Sequence, residues 1–227
     1  MNKGKGMFQS ITSGIFQVGG ADFTSPEDAA IYLIHFNGES ALVDAGCGRS
    51  LSRLFKNIIE CGVDAQTIAY LLITHCHYDH TGGAAAIRDK LHCKTVAHEL
   101  DAGYLEAGDS AVTAADWYGS KLTPVTIDLK LSQPQTDILL GGKTVSAFHM
   151  PGHSPGSVVF LTESDGKKVL FGQDVHGPLA PVLKSNQGDY RNSLNKLIEL
   201  NSDILCEGHF GIYTGRETIR RFIRAFI

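Results

Sequence analysis

Ile68-Ala69-Tyr70-Leu71-Leu72-Ile73-Thr74-His75-Cys76-His77-Tyr78-Asp79-His80 joins an apolar run to a dense group of metal-capable side chains. The run Ile68 to Ile73 has the length and continuous apolar character of a strand buried on both faces. Side chains of an extended segment alternate, so His75 and His77 point one way and can share an ion, while Cys76 and Tyr78 point the other. Asp79 and His80 fall where the chain turns into a helix, and they aim at a second point nearby. Neutral imidazole and carboxylate are the ligand types that suit zinc or a similar divalent metal. The whole chain has 10 His, and three of them fall in this hexapeptide, a density that a surface loop rich in His by chance does not explain.

Working outward, Ile15 to Val18, Ile31 to Phe36 and Ala41 to Val43 are strand-like, and Asn37-Gly38 is a hairpin signal. Leu51, Leu54, Phe55, Ile58 and Ile59 recur on one helical face, with Gly62 as the stop. After the His cluster the pattern predicts a helix from about Gly82 to Leu91 and a strand from Lys94 to Ala97. Residues 100–122 are small and polar, with Tyr104, Trp117 and Tyr118 interspersed. They read as a helical excursion, either a lid or a connecting helix pair whose aromatics pack into the core. Strand patterns resume at Pro124 to Leu129, Asp137 to Leu140, Thr144 to Phe148, Ser157 to Leu161 and Lys168 to Phe171. A helix carrying Leu194, Leu197 and Ile198 and a strand from Asp203 to Cys206 follow. The last helix is predicted to start at a capping box, Thr214 to Glu217, with Arg216, Arg220 and Arg224 on a solvated face.

A length of 227 residues predicts one domain, 1–227, with the lid insertion around 100–122 as its one elaboration. A net charge of −4 excludes the basic balance of a nucleic-acid binder. Cys47, Cys61, Cys76, Cys93 and Cys206 form no C-x-x-C pair and read as reduced thiols of a cytosol-like compartment. Met1 to Met7 shows no apolar leader core, and no run approaches the ~18 apolar residues of a membrane span, so a cytoplasmic protein without membrane partners is expected. The oligomeric state stays open, a homodimer included.

Three further candidate ligands lie just past strand ends. His153 sits in Gly152-His153-Ser154-Pro155-Gly156-Ser157, Asp174 in Gly172-Gln173-Asp174, and His209 in Gly208-His209. If these strands share a sheet edge, their loops converge on the His75 cluster, and the adjoining glycines let the backbone approach the ions. His35, His92, His98 and His149 have no visible partners and receive no metal role. Cys76 is read as a packed residue, Tyr78 as core or as an oxyanion contact, and His176 as a pocket or solvent residue.

With Leu42-Val43-Asp44-Ala45-Gly46 preceding them, these motifs stand in family order, and over its whole length the chain resembles the metallo-β-lactamase-fold superfamily of hydrolases. The resemblance implies an α+β fold, a four-layer αββα sandwich. It implies that His75, His77 and His153 hold one metal, that Asp79, His80 and His209 hold a second, and that Asp174 bridges them. Asp44 matches a carboxylate that orients a ligand, although a turn-forming Asp after a strand reads equally well. Asp174 argues against antibiotic hydrolysis. Gly177 stands where acyl-homoserine lactonases carry Tyr, residues 210–227 suffice for one helix and no appended helical domain, and the basic elements of tRNA-processing nucleases are missing. The chain therefore resembles the hydroxyacylglutathione hydrolase and lactonase-like branch and no named member closely.

The expected function is a dinuclear hydrolase of a small ester, thioester or lactone. The resemblance implies two divalent ions, zinc first and iron or manganese as alternatives, whose bridging hydroxide attacks the carbonyl while Asp79 receives a proton. A mononuclear iron dioxygenase of persulfide type, using only His75, His153 and Asp174, is the alternative chemistry. A phosphodiesterase and a sensor without turnover are the others.

Overall fold

A computed structural model describes residues 7–172 and 174–227. Residues Met1 to Gly6, most of the stretch read for a leader, and Gln173 of the third motif lie outside the described residues.

Tight turns fold the first part of the chain into an antiparallel meander: β1 (Gln9–Thr12), β2 (Ile15–Gly19), β3 (Ile31–Phe36) and β4 (Glu39–Val43). The β3–β4 turn is the expected hairpin, with Asn37 at φ 47° and Gly38 at φ 84°, both in the left-handed region that matches strand twist. Helix α1 (Leu51–Glu60) then crosses to β5 (Ile68–Leu72), which pairs parallel to β4. Two short helices, α2 (Tyr78–Thr81) and α3 (Ala84–Leu91), lead to β6 (Lys94–His98). Helix α4 (Glu99–Ala107) precedes β7 (Leu129–Leu131), and β5, β6 and β7 complete the sheet in parallel.

The second sheet begins with the antiparallel strands β8 (Gln135–Leu140), β9 (Lys143–His149), β10 (Val158–Ser164) and β11 (Lys167–Gly172). Helix α5 (Gln187–Glu199) returns the chain to β12 (Ile204–Glu207), parallel to β11. The edge strand β13 (Ile212–Thr214) and helix α6 (Arg216–Arg224) end the fold.

Period-2 alternation turns the two sheets into four layers. Leu71 packs outward with Leu54 and Ile58 of α1 and Ile87 of α3, while its neighbour Leu72 faces the other sheet among Val43, Phe160 and Phe171. In the second sheet Val159 and Leu170 point the opposite way, onto Leu194 and Leu197 of α5 and Ile219 and Ile223 of α6. The expected αββα sandwich is therefore the observed one. Each fully buried Leu, Ile or Phe contributes about 1.5–3 kcal/mol, and β5 is apolar throughout because helices cover one face and a sheet the other.

Several local expectations differ. The strand expected at Pro124 to Leu129 begins only at Leu129. Before it the backbone is tied sideways, Val125 N–H to the Leu105 carbonyl and Ile127 N–H to the Glu106 carboxylate, so it cannot also feed a ladder. The capping box does not form: α6 starts from Gly215 at φ 93°, whose N–H donates to the Asp203 carbonyl. Ile59 stays 64% exposed at the edge of the α1 stripe. Within residues 100–122, α4 is one regular helix, and a 3₁₀ turn spans Ala115–Tyr118.

Two of the unassigned histidines pack on each other, since the His98 and His149 rings stack 3.8 Å apart. Burial, with His149 second, lowers the His98 pKa from 6.5 to about 4, and its Nδ1 accepts the Leu100 N–H at the start of α4. The folded state holds His98 neutral where the unfolded chain takes up a proton, so stability is intact above pH 6.5 and falls as the pH drops toward 4. His98→Asn keeps an acceptor at this cap and removes the titration. Urea midpoints at pH 7 and 4.5 are expected to separate less in the variant than in the parent.

Candidate metal centre

The loops that leave β5, β9, β11 and β12 open at one edge of the sandwich. Past β5, Ile73 still donates to Val96 of the neighbouring strand, and the chain then leaves the sheet through Thr74 to His77, with the Thr74 carbonyl accepting the Val158 N–H, before α2 begins. His75 and His77 emerge on the same side, their ring centroids 4.6 Å apart. His153 joins them at 4.7 Å from His75 and 4.4 Å from His77. Cys76 points the other way into the core beneath the helices, as the parity predicts.

A second group assembles beside the first. His80 Nε2 lies 3.1 Å from Asp174 Oδ1, and His209 Nε2 lies 3.1 Å from Asp79 Oδ2. Asp174 Oδ2 is 3.4 Å from His209 Nε2 and 3.5 Å from His153 Nε2, so this one carboxylate reaches both groups. Within each group, His75–His77–His153 and Asp79–His80–Asp174–His209, the ligand atoms lie within 4.8 Å of one another.

The donor chemistry fits divalent cations. His77 Nε2 is buried without a hydrogen-bond partner in the protein, and His80 Nε2 and Asp174 Oδ1, though 3.1 Å apart, are not aligned as a hydrogen bond, an arrangement that costs free energy unless something else satisfies them. His75 Nε2 and His153 Nε2 face each other at 3.2 Å. Burial first, then the neighbouring imidazoles, hold His75 well below its ordinary pKa and bring His77 to about 3, which leaves their lone pairs free. In the second group burial is outweighed: Asp174, Asp44 and Asp79 push His80 well up, and hydrogen bonds to Asp174 and Asp79 bring His209 to about 10. Asp174 is correspondingly held well below the carboxylate range, burial being overcome by His80 first among its neighbours. His75 and His77 thus offer neutral imidazole, while the other group mixes imidazole and carboxylate, with the Asp174 anion reaching both.

Several residues hold these side chains in place. Asp44 accepts from the Thr74 N–H and hydroxyl, both at 2.8 Å, and its Oδ2 lies 2.7 Å from His80 Nδ1. A proton on Nδ1 in that contact turns the His80 Nε2 lone pair toward the site. Asp44 also sits at φ 65°, so it both forms the turn after β4 and holds the His80 ring. His153 Nδ1 donates to the Pro178 carbonyl at 3.0 Å. Gly208 is required by space, since a Cβ there would stand 2.4 Å from Asp174 Oδ1.

Two fully buried carboxylates went unread in the sequence. Glu207, 0% exposed, accepts from the backbone N–H groups of Val175, His209 and Phe210 and pairs with His176 Nδ1 at 2.9 Å. An acid ending the apolar run Ile204-Leu205-Cys206 and directly preceding Gly208-His209 was the signal available. Asp101 of α4 is the other. His176 is half-buried against His209 and Phe210, while Tyr78 packs in the core with its hydroxyl 2.8 Å from that of Ser120.

A cavity of about 270 Å³ opens over His77, Asp79, Asp174 and His209, walled by Trp117, Tyr118, Pro178 and Leu183, with no Lys or Arg in its lining. Trp117, Leu179, Val182 and Phe210 stand exposed on the loops around it.

Residues 24–209 match the sequence profile of the Metallo-beta-lactamase superfamily. The chain is similar to the human acyl-coenzyme A thioesterase MBLAC2, 29% identical over 96% of this chain and 86% of that protein. It is also similar to the hydroxyacylglutathione hydrolase GloC of Haemophilus influenzae, 28% identical over 77% of this chain and 81% of that protein. In structure, the metallo-beta-lactamase GOB-18 from Elizabethkingia meningoseptica superposes with a TM-score of 0.82 at 24% identity, over 100% of this chain and 92% of that one. The profile match spans most of the chain and includes every loop that meets at the site, and the chain belongs to the metallo-β-lactamase superfamily, as one of its hydrolases.

Proposed function

We propose that the protein is a dinuclear metal-dependent hydrolase of small acyl esters, with thioesters as the favoured class and lactones beside them. The observation that carries this reading is the pair of groups, His75–His77–His153 and Asp79–His80–His209, joined through the Asp174 carboxylate. These seven side chains are read as the ligands, and zinc as the resident ion. When bound, a pair of divalent ions lowers the pKa of a water to about 7 and polarises the carbonyl oxygen. The chain supplies the rest. Asp79, held by His209, is the carboxylate placed to take a proton from the nucleophile. Asp44 orients the His80 ring through Nδ1, and Glu207 fixes the backbone of the loop that carries His209. Trp117, Tyr118, Pro178 and Leu183 offer an apolar wall to the acyl group, and no Lys or Arg lines the cavity to meet a phosphodiester.

The relatives named above act, by their names, on acyl-coenzyme A and hydroxyacylglutathione; both are thioesters of an acyl group on a larger thiol, which supports that class here. The complete second group beside the first favours hydrolysis over a mononuclear iron oxygenase. Within the expected lid, α4 is anchored by buried Asp101 and Leu105, so the part that covers the cavity is assigned to the turn at Ala115–Tyr118. All five cysteines are free, which supports a reducing cytoplasm, and no described helix is long and apolar enough to cross a membrane.

The test is elemental analysis of protein purified without added metal, followed by a panel of thioesters, lactones, esters and phosphodiesters. About two zinc ions per chain with turnover of the carbonyl substrates is the expected result. One iron per chain, or turnover confined to phosphodiesters, overturns the reading.

A further inference from the structure

Asp101 is 0% exposed, and no cation among the described residues pairs with it. Burying an unpaired carboxylate costs several kcal/mol unless hydrogen bonds replace its water. Here they come from two separate loops. Oδ2 accepts the Cys76 N–H at 2.9 Å and the Ser154 hydroxyl at 2.6 Å, and Oδ1 accepts the Gly156 N–H at 2.7 Å. The partners lie 25, 53 and 55 residues away along the chain. The Ser157 hydroxyl braces the same loop, accepting the Ser154 N–H at 3.0 Å. Gly156 leaves no room for a side chain, since a Cβ would stand 2.6 Å from Asp101 N.

The choice of partners is informative. Cys76 lies between His75 and His77, and Ser154 directly follows His153. Asp101 therefore clamps together the two loops that carry the three-histidine group, and only those: its hydrogen bonds reach neither α2 nor the loops of Asp174 and His209. That group consists of imidazoles, and the carboxylate that meets it at His153, Asp174, is shared with its neighbour. A dication held by neutral donors gains from a fixed negative charge in the low-dielectric interior close by. Consecutive Cα atoms are about 3.8 Å apart, so a clamp on Cys76 N–H acts on both flanking histidines at once.

We infer that Asp101 is the positioning residue of the three-histidine metal site, fixing the spacing of His75, His77 and His153 through hydrogen bonds to the two loops that carry them and placing buried negative charge beside those loops. The inference rests on the two-metal reading above. It gives α4 a function as well: the helix is a strut for the metal loops.

The test is competition of zinc against a chromophoric chelator, with cobalt substitution to follow the three-histidine site by its visible spectrum. Wild type failing to bind two ions would count against the two-metal reading itself. With two ions bound by wild type, Asp101→Asn, which removes the charge and turns an amide N–H₂ toward existing donors, is expected to weaken one site about 10–100-fold. The other site should stay within about threefold, and the cobalt band of the weakened site should shift. Ser154→Ala removes a single donor and is expected to weaken the same site by less, and it decides the matter should Asp101→Asn fail to fold. Equal weakening of both sites, or wild-type affinity at both, in the folded variant overturns the inference.

Discussion

Asp174→Ala is expected to abolish activity and metal retention together. Its carboxylate faces His80, His209 and His153 at 3.1, 3.4 and 3.5 Å, more of the candidate ligands than any other side chain at the site meets as an ion pair. Removing it leaves His80 and His209 without the partner that most offsets their burial, and takes from the three-histidine group the carboxylate that pairs with His153. Groups that merely orient a ligand typically cost 10–100-fold when lost. A shared ligand should cost more, at least about 10³-fold in kcat/KM, well above that orienting range, with fewer than two ions per chain after dialysis. Asp174→Asn separates charge from shape: it retains the size of the side chain and is expected to lose nearly as much. Full metal content in both variants would remove Asp174 from the site.

How much of this was legible along the chain depended on the kind of partner each residue has. The candidate ligands could be read because they are unusual residue types placed just past apolar runs, and both features are local. β5 could be read for the same reason, its two covered faces leaving an uninterrupted run. Asp101 could not, and Glu207 only by its place after an apolar run, because the backbone N–H groups of Cys76, Gly156 and Val175 reach them from distant parts of the chain, and every residue but proline offers the same donor. Only the fold decides which donors arrive. The lost capping box shows the reverse failure, in which Thr214 and Glu217 satisfy a local rule but the turn out of β13 places Gly215 at the cap instead. Likewise Pro124 to Asp128 has strand composition, yet its donors are committed to α4 and, through the Asp128 N–H, to Thr95 of β6. His176 was open between pocket and solvent; pairing with Glu207 resolves it into a wall of the cavity.

The largest expected loss of stability is at Glu207. Its carboxylate is fully buried, and its oxygens divide the work: Oε1 takes the Val175 N–H at 3.1 Å and the His176 ring at 2.9 Å, while Oε2 takes the His209 and Phe210 N–H groups, both at 2.7 Å. The Glu207 carbonyl meanwhile accepts the Tyr32 hydroxyl at 2.7 Å, which crosses from the first sheet. Glu207→Ala would take the acceptor from the buried Val175 N–H, from the partly buried His209 and Phe210 N–H groups and from the His176 ring in one step; hydrogen bonds to a charged group are worth about 1.5–3 kcal/mol each, so a loss of about 3–5 kcal/mol is expected. At roughly 2–4 °C per kcal/mol for a chain of this size, melting should fall by about 6–20 °C. Glu207→Gln keeps one acceptor oxygen and should lie between the two. Melting each protein with chelator and again with zinc separates the two consequences of the carboxylate. The chelated samples report the lost hydrogen bonds alone. If Glu207 also holds His209 and Asp174 in register, the variant gains less from zinc than wild type does, because ligand binding stabilises a fold only to the extent that the site is formed. An unchanged zinc increment in Glu207→Ala would confine the residue to structure.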